Sequence, residues 1–365
     1  MTAPPAPFAA PQDILPSQAE GSPGRPRARN RRALHIGVFA LGSAAIAILL
    51  VAVGWSSIAE NLSRIGWYFV LLVVLYAAAQ LSFAASWWVL IAKPQPITFG
   101  ELFAAYLAGD SVNYFTGVGG EPVKAHLVSD KMGFGPAFAG VAVHRHADFL
   151  AQWLFLIAGA AIALTHFEIP AFARALVITG LLLLGGLVLG FTRAMRKGVF
   201  GPFLRKLSKF RPLAGRLRRF EEEAHRVDER IRLYYHEEEH RGRFGLAVAW
   251  GFLGWCGGLL ETYIVLRLLS PVHGLPAAVA VESLAMILNS ILIFIPARIG
   301  TAEGVRVGVT TLLGLSTAQG AAYALARRAR ELLWLAPGFV VLLKRHVLDV
   351  GHMRLEPLDS KEDAS

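Results

Sequence analysis

Residues 109–148 read GDSVNYFTGVGGEPVKAHLVSDKMGFGPAFAGVAVHRHAD. In this stretch Asp110, Glu121, Lys124, Arg145 and Asp148 interrupt a chain that is otherwise mostly apolar. Residues 294–331 read FIPARIGTAEGVRVGVTTLLGLSTAQGAAYALARRARE and repeat the pattern. Glu303 and Arg306 lie 182 positions beyond Glu121 and Lys124, while Arg328 and Glu331 lie 183 beyond Arg145 and Asp148. One polar constellation is therefore present twice, which predicts a duplicated site inside a membrane.

Composition sets the setting. The chain has 365 residues, 55% of them hydrophobic and 17% charged, and a mean hydropathy of +0.49. Several apolar runs reach the roughly 17–25 residues that a helix needs to cross about 30 Å of hydrocarbon. An ordinary soluble domain is excluded, and an all-α polytopic membrane protein is predicted. The formal net charge of +10 would suggest nucleic acid in a soluble protein. Here Lys and Arg gather in the N-terminal tail and one central linker, where such residues orient spans and lie against anionic headgroups. No nucleic-acid partner is expected. Cys256 is the only cysteine, so no intramolecular disulfide and no cysteine metal motif are expected.

Residues 1–33 are Pro- and Ala-rich and end basic, a composition that builds no core, and read as a disordered cytoplasmic tail. The first membrane half, 34–192, contains an apolar run at 34–53 too long for a signal-peptide core. Further spans are expected at 67–91, 137–165 and 175–191. The run 97–116 is followed by Gly117, Gly119, Gly120 and Pro122, which break helices. If it crossed fully, the linker 193–243, with fifteen Arg or Lys, would lie outside. The positive-inside rule instead makes 97–136 a hairpin that enters and leaves by the cytoplasmic face. The second half, 244–343, reads the same way, with spans at 244–269 and 317–343 around a hairpin at 276–316. The tail 344–365 returns to the cytoplasm. About six full spans plus two re-entrant helical hairpins result, in an inverted repeat of the kind built around a midplane site. Within the linker, Leu217, Phe220, Ala224, Val227, Ile231 and Tyr234 recur at helical spacing, which predicts an amphipathic helix with a solvated or membrane-surface setting.

The charges at membrane depth cannot face lipid unpaired. Each would cost about 2.5–3.5 kcal/mol on insertion scales. Arg145 with Asp148 and Arg328 with Glu331 are spaced i, i+3 and should pair on one helix face, and Glu121 and Glu303 can reach arginines of the following helices. An apparent surplus of Arg and Lys points to a cavity for an anionic headgroup. Helix N-termini near Gly119–Gly120 and Gly300–Thr301 could add backbone N–H donors. His144 and His146 flank Arg145, and His144 stands four residues before Asp148, which suggests a proton relay. The HEEEH run at 236–240 resembles a zinc pair only loosely and reads as a solvated helix face. No P-loop, serine elbow or dinucleotide fingerprint is present, and no metal or cofactor is expected.

The motifs YFTGVGGEPVKAHLV and HRHADFL, with FIPARIGTAEGVRVG and LARRARELL, resemble the transmembrane region of the lysylphosphatidylglycerol synthetase (flippase-like domain) family, and most nearly its hopanoid-associated branch. The matching positions are Gly120, Glu121, Lys124, Arg145, Asp148, Pro296, Gly300, Glu303, Arg306, Arg328 and Glu331. Thr116 departs from the family's first-hairpin proline, and Ala297–Arg298 from its usual small residues. The resemblance implies lipid movement between leaflets through a central polar cavity. The short stretch after Leu343 leaves no room for an aminoacyltransferase domain, so no enzyme activity is expected. The partners expected are membrane lipids and, in the alternative reading of a membrane scaffold, lipid-biosynthetic enzymes; a homo-oligomer is compatible. The expected location is the inner membrane, with both termini cytoplasmic.

Overall fold

A computed structural model describes residues 55–91, 97–116, 119–198, 200–202, 214–271, 274–291 and 300–355. The described elements are all helices: α1 (Trp55–Ile65), α2 (Tyr68–Leu90), α3 (Phe99–Thr116), α4 (Gly120–Met132), α5 (Phe134–His166), α6 (Ala171–Lys197), α7 (Ala214–His236), α8 (Glu238–Leu269), α9 (Leu275–Ile291), α10 (Thr301–Leu312) and α11 (Thr317–Leu355). The N-terminal tail, the expected first span, Pro296, Arg298 and linker residues 203–213 lie outside the described residues.

Among the described residues, four helices are long and apolar enough to cross a membrane: Tyr68–Leu90, Phe134–His166, Ala171–Lys197 and His240–Leu269. They fall on four of the expected spans. The boundary between α4 and α5 is set by Gly133, whose φ of 78° is one that residues with a side chain rarely adopt. α11 is not among the four, because Arg327, Arg328, Arg330 and Glu331 interrupt its apolar run. α4 and α10 have 13 and 12 residues, a rise of about 20 and 18 Å, too short to cross alone.

Small residues let the helices approach closely. α2 and α8 run antiparallel, with a Cβ at Gly257 lying 3.0 Å from that of Ala79 and Ser86 Oγ donating to the Ala247 carbonyl at 2.8 Å. α9 crosses α5 where Gly159 meets Ser283 and Val279. α3 and α4 fold onto each other at Gly109 and Gly120, where a Cβ on Gly120 would be 1.9 Å from the Gly109 carbonyl oxygen. α11 lies along α3, with Ser111 Oγ donating to the Leu335 carbonyl at 3.1 Å, and along α2, where Trp334 Nε1 donates to the Val73 carbonyl at 3.1 Å. Away from these seams α6 exposes Leu182, Leu183, Leu187 and Leu189, a surface that suits acyl chains.

The linker helix differs from its expected setting. The stripe Ala224, Val227, Ile231 and Tyr234 on α7 is buried, the last three in one cluster with Leu90 of α2, Val143 of α5, Met195 of α6 and Ala247 of α8. The periodicity is therefore satisfied by protein. Four helix ends present an apolar floor, and burying the stripe there removes more apolar surface from water than a solvated helix could. Asp228 fastens the preceding turn, accepting the Phe200 and Gly201 N–H groups at 3.1 and 2.8 Å.

The α3–α11 seam generates a paired prediction. A Cβ at Gly338 would lie 2.1 Å from Ser111 Oγ and 2.4 Å from the Leu107 carbonyl oxygen, whereas nothing lies within 4 Å of one at Gly308. Gly338→Ala should lower stability by about 1–3 kcal/mol, and Gly308→Ala should raise it by roughly 0.5–1 kcal/mol. Thermal unfolding in detergent reads both, and equal midpoints would show that the seam is looser than these distances.

Candidate functional site

Each half begins a short helix with an acid in its first turn, Glu121 in α4 and Glu303 in α10. The first amides of a helix have no partner within it, so this position favours a carboxylate. Glu303 Oε2 accepts the N–H of Gly300 at 2.7 Å, and Gly300 takes a φ of 77° to make that turn. In the first half Asn113 divides the task. Its Oδ1 accepts the Gly120 N–H at 2.7 Å and its Nδ2 donates to Glu121 Oε1 at 2.9 Å, while Thr116 Oγ1 accepts the Gly119 N–H at 2.8 Å. The amides of Gly119, Gly120 and Gly300, expected from the sequence to receive an anionic ligand, are thus taken by the chain's own side chains. With little water at that depth, the helix ends satisfy themselves.

The arginines meet these acids from the next long helix. Arg145 and Arg328 each lie eleven residues beyond the first residue of α5 and α11, about 16 Å along the axis. In the first half Arg145 Nη1 reaches Asp148 Oδ2 at 3.0 Å and Nε lies 3.9 Å from Glu121 Oε1. Lys124 Nζ lies 3.3 Å from Glu121 Oε1 and 4.5 Å above the Tyr106 ring. In the second half Arg328 Nε donates to Glu303 Oε1, Arg306 Nη2 lies 2.8 Å from Glu331 Oε1 and Arg328 Nη1 3.5 Å from Glu331 Oε2. Both expected i, i+3 pairs form. Arg328 Nη1 also donates to the Tyr114 hydroxyl on α3, the helix that carries Asp110 of the first constellation.

The histidines do not join them. Ser86 Oγ already donates to the Ala247 carbonyl, so its 3.3 Å contact with His144 Nδ1 takes the proton from the ring. His144 stacks beside Trp87 of α2. Thr192 Oγ1 donates to the Val188 carbonyl at 2.7 Å, so it accepts from His146 Nε2 at 2.8 Å. This leaves Nδ1 to accept from the Tyr235 hydroxyl, which burial pushes above its ordinary pKa and keeps a donor. His146 is a neutral clasp between α5, α6 and α7. The expected relay has no continuous path, because the two rings face different neighbours and neither bonds Asp148.

A family model described as the lysylphosphatidylglycerol synthase TM region matches residues 36–338. The chain belongs to that family. No curated protein and no solved structure matches it.

This member of the lysylphosphatidylglycerol synthase TM-region family carries a second buried network beside the duplicated one. Arg330 clamps Glu261 of α8 with two bonds, at 3.1 and 2.7 Å, and its guanidinium lies 3.8 Å above the Tyr76 ring. Arg327 holds Glu282 of α9, with Nη2 3.0 Å from Oε1 and Nη1 bonded to Oε2. Thr262 Oγ1 donates to the same Glu282 Oε2 at 2.6 Å. The sequence reading overlooked Glu261 and Glu282, although a lone acid in an apolar run such as GGLLETYIV is itself the signal. Counting them removes the apparent excess of bases. Among the described residues within the bundle, Asp110, Glu121, Asp148, Glu261, Glu282, Glu303 and Glu331 face Lys124, Arg145, Arg306, Arg327, Arg328 and Arg330.

Within this network Arg330 occupies both oxygens of Glu261, and the pair therefore behaves as a staple. Glu261→Gln or Arg330→Met alone should destabilise the fold by about 3–5 kcal/mol by stranding a buried charge, and Glu261→Met with Arg330→Met should recover most of that loss. Unfolding of the three purified variants decides it; additive losses would show that the pair is not a closed unit.

Proposed function

We propose that this chain moves a lipid between the leaflets of the inner membrane without altering it chemically. The observation that carries the reading is the bond from Arg328 of the second constellation to Tyr114 on α3 of the first half. It ties the second constellation to the helix that carries Asp110 of the first, and polar groups buried in a membrane bundle mark substrate paths. In this reading 97–136 and 276–316 are re-entrant hairpins of an inverted repeat with about six full spans, and both termini are cytoplasmic. The shortness of α4 and α10 and their matching acids support it.

The headgroup would pass between the hairpins while its tail stays in lipid. Arg306 Nη1 is buried with no hydrogen-bond partner, which leaves one guanidinium donor for a phosphate or hydroxyl group. The substrate classes proposed are an anionic phospholipid or a hopanoid-like lipid, and the rocking of one repeat against the other would alternate access. No cofactor is invoked.

A scaffold for lipid-modifying enzymes is the second reading. It is favoured by the face of α7 turned away from the bundle, where Arg226, Glu229, Arg230 and Leu233 are exposed. Deleting α7 would not separate the two, since its other face is core. Arg226→Ala with Arg230→Ala and Leu233→Ala spares that core.

The test is leaflet exchange of fluorescent anionic, zwitterionic and hopanoid-like lipids in liposomes. Wild type and the α7 triple variant should both exchange lipid, and Glu303→Gln should lose at least about tenfold, the effect of some 1.4 kcal/mol. No exchange of any lipid by folded wild type would favour the scaffold, and exchange that survives in Glu303→Gln would take the second hairpin out of the path.

A further inference from the structure

The two constellations match in residue spacing and differ in completion. In the second half every carboxylate oxygen of Glu261, Glu282, Glu303 and Glu331 has a partner. In the first half Asp148 Oδ1 and Glu121 Oε2 are buried with none. Asp148 is only 8% exposed, and a buried carboxylate oxygen left without a donor is costly unless the group takes up a proton or a cation. Asp110, on the neighbouring helix, is bonded only through Gln80 Nε2, at 3.1 Å. The first half thus holds three carboxylates against Lys124 and Arg145, whereas Glu303 and Glu331 of the second are matched by Arg306 and Arg328.

We infer that Asp148 is an exchangeable proton site of this protein, alternating between a carboxylate bonded to Arg145 and a neutral acid whose hydroxyl is free to donate. The inference rests on the transport reading only for what the proton drives. Of the groups that face Asp148, Arg145 and His144 share its helix, Glu121 and Lys124 come from α4, and Tyr106 and Asp110 from α3. α8 approaches with Gly251, which brings no ionisable group. Arg145 serves Asp148 and Glu121 together. Protonating Asp148 therefore frees Arg145 to close on Glu121, without moving an unpaired charge into lipid. Glu331, the counterpart of Asp148, has both oxygens occupied by Arg306 and Arg328 and stays ionised. One proton adds to one carboxylate, and bulk water at either face supplies and removes it.

The first measurement is the infrared difference spectrum of the purified full chain between alkaline and acidic buffer. A protonated-carboxyl band should appear, shift in wild-type protein grown with isotope-labelled aspartate, vanish in Asp148→Asn and persist in Asp148→Glu and Glu331→Gln. No band, or a band that moves only with labelled glutamate, overturns the inference without reference to any variant's folding. The second measurement imposes a pH gradient on liposomes containing wild type. One proton per lipid should enrich the lipid in one leaflet up to about tenfold per pH unit. Lipid exchange indifferent to the gradient overturns the coupling of this proton to transport and leaves transport standing. An aspartate band with no lipid exchange at all overturns the transport reading and leaves the proton site standing.

Discussion

Charge inside a low-dielectric bundle must be matched, and the position of α11 among its neighbours follows from that requirement. Arg330 and Arg327 cannot face lipid, so α11 is drawn against α8 and α9, which carry Glu261 and Glu282. Arg328 lies between them in sequence and turns to the other side, toward Glu303 and Tyr114. A single turn of α11 thereby fixes the positions of four other helices. The apolar seams then fill the remaining space, with glycines wherever two backbones must come close.

Much of this was legible in the chain before any coordinates. The spans at 67–91, 137–165, 175–191 and 244–269 follow from hydropathy alone, since crossing hydrocarbon demands length and apolarity and little else. The i, i+3 pairs Arg145–Asp148 and Arg328–Glu331 follow from helical geometry, which spacing determines. What did not follow was which distant residue would meet which. Glu261 and Glu282 were in plain view as isolated acids, yet their partners lie 69 and 45 residues away, and no local rule supplies that pairing. The helix-terminal amides were misread for a related reason: Asn113 sits seven residues before Gly120, across a turn that spacing does not describe.

The histidines illustrate how hydrogen-bond direction constrains chemistry. Two rings beside an arginine and an aspartate invite a proton wire. Ser86 and Thr192, however, each have one hydroxyl proton and both spend it on a carbonyl. The ring nitrogens must then supply the missing donors, which holds His144 and His146 in defined tautomers among aromatic neighbours. The carboxylates nearby carry the freedom that the imidazoles lack.

The docking of α7 has a consequence for how the protein responds to its ionic surroundings. A basic helix held to a membrane by anionic headgroups lifts off as salt shortens the Debye length to a few ångströms. α7 is held by Val227, Ile231 and Tyr234 in a dry cluster, by the Tyr234 hydroxyl on the Leu90 carbonyl and by the neutral clasp at His146. None of these contacts is screened by ions. The most charged segment of the chain is thus anchored by its least charged contacts, while Arg226, Glu229 and Arg230 lie on its exposed face.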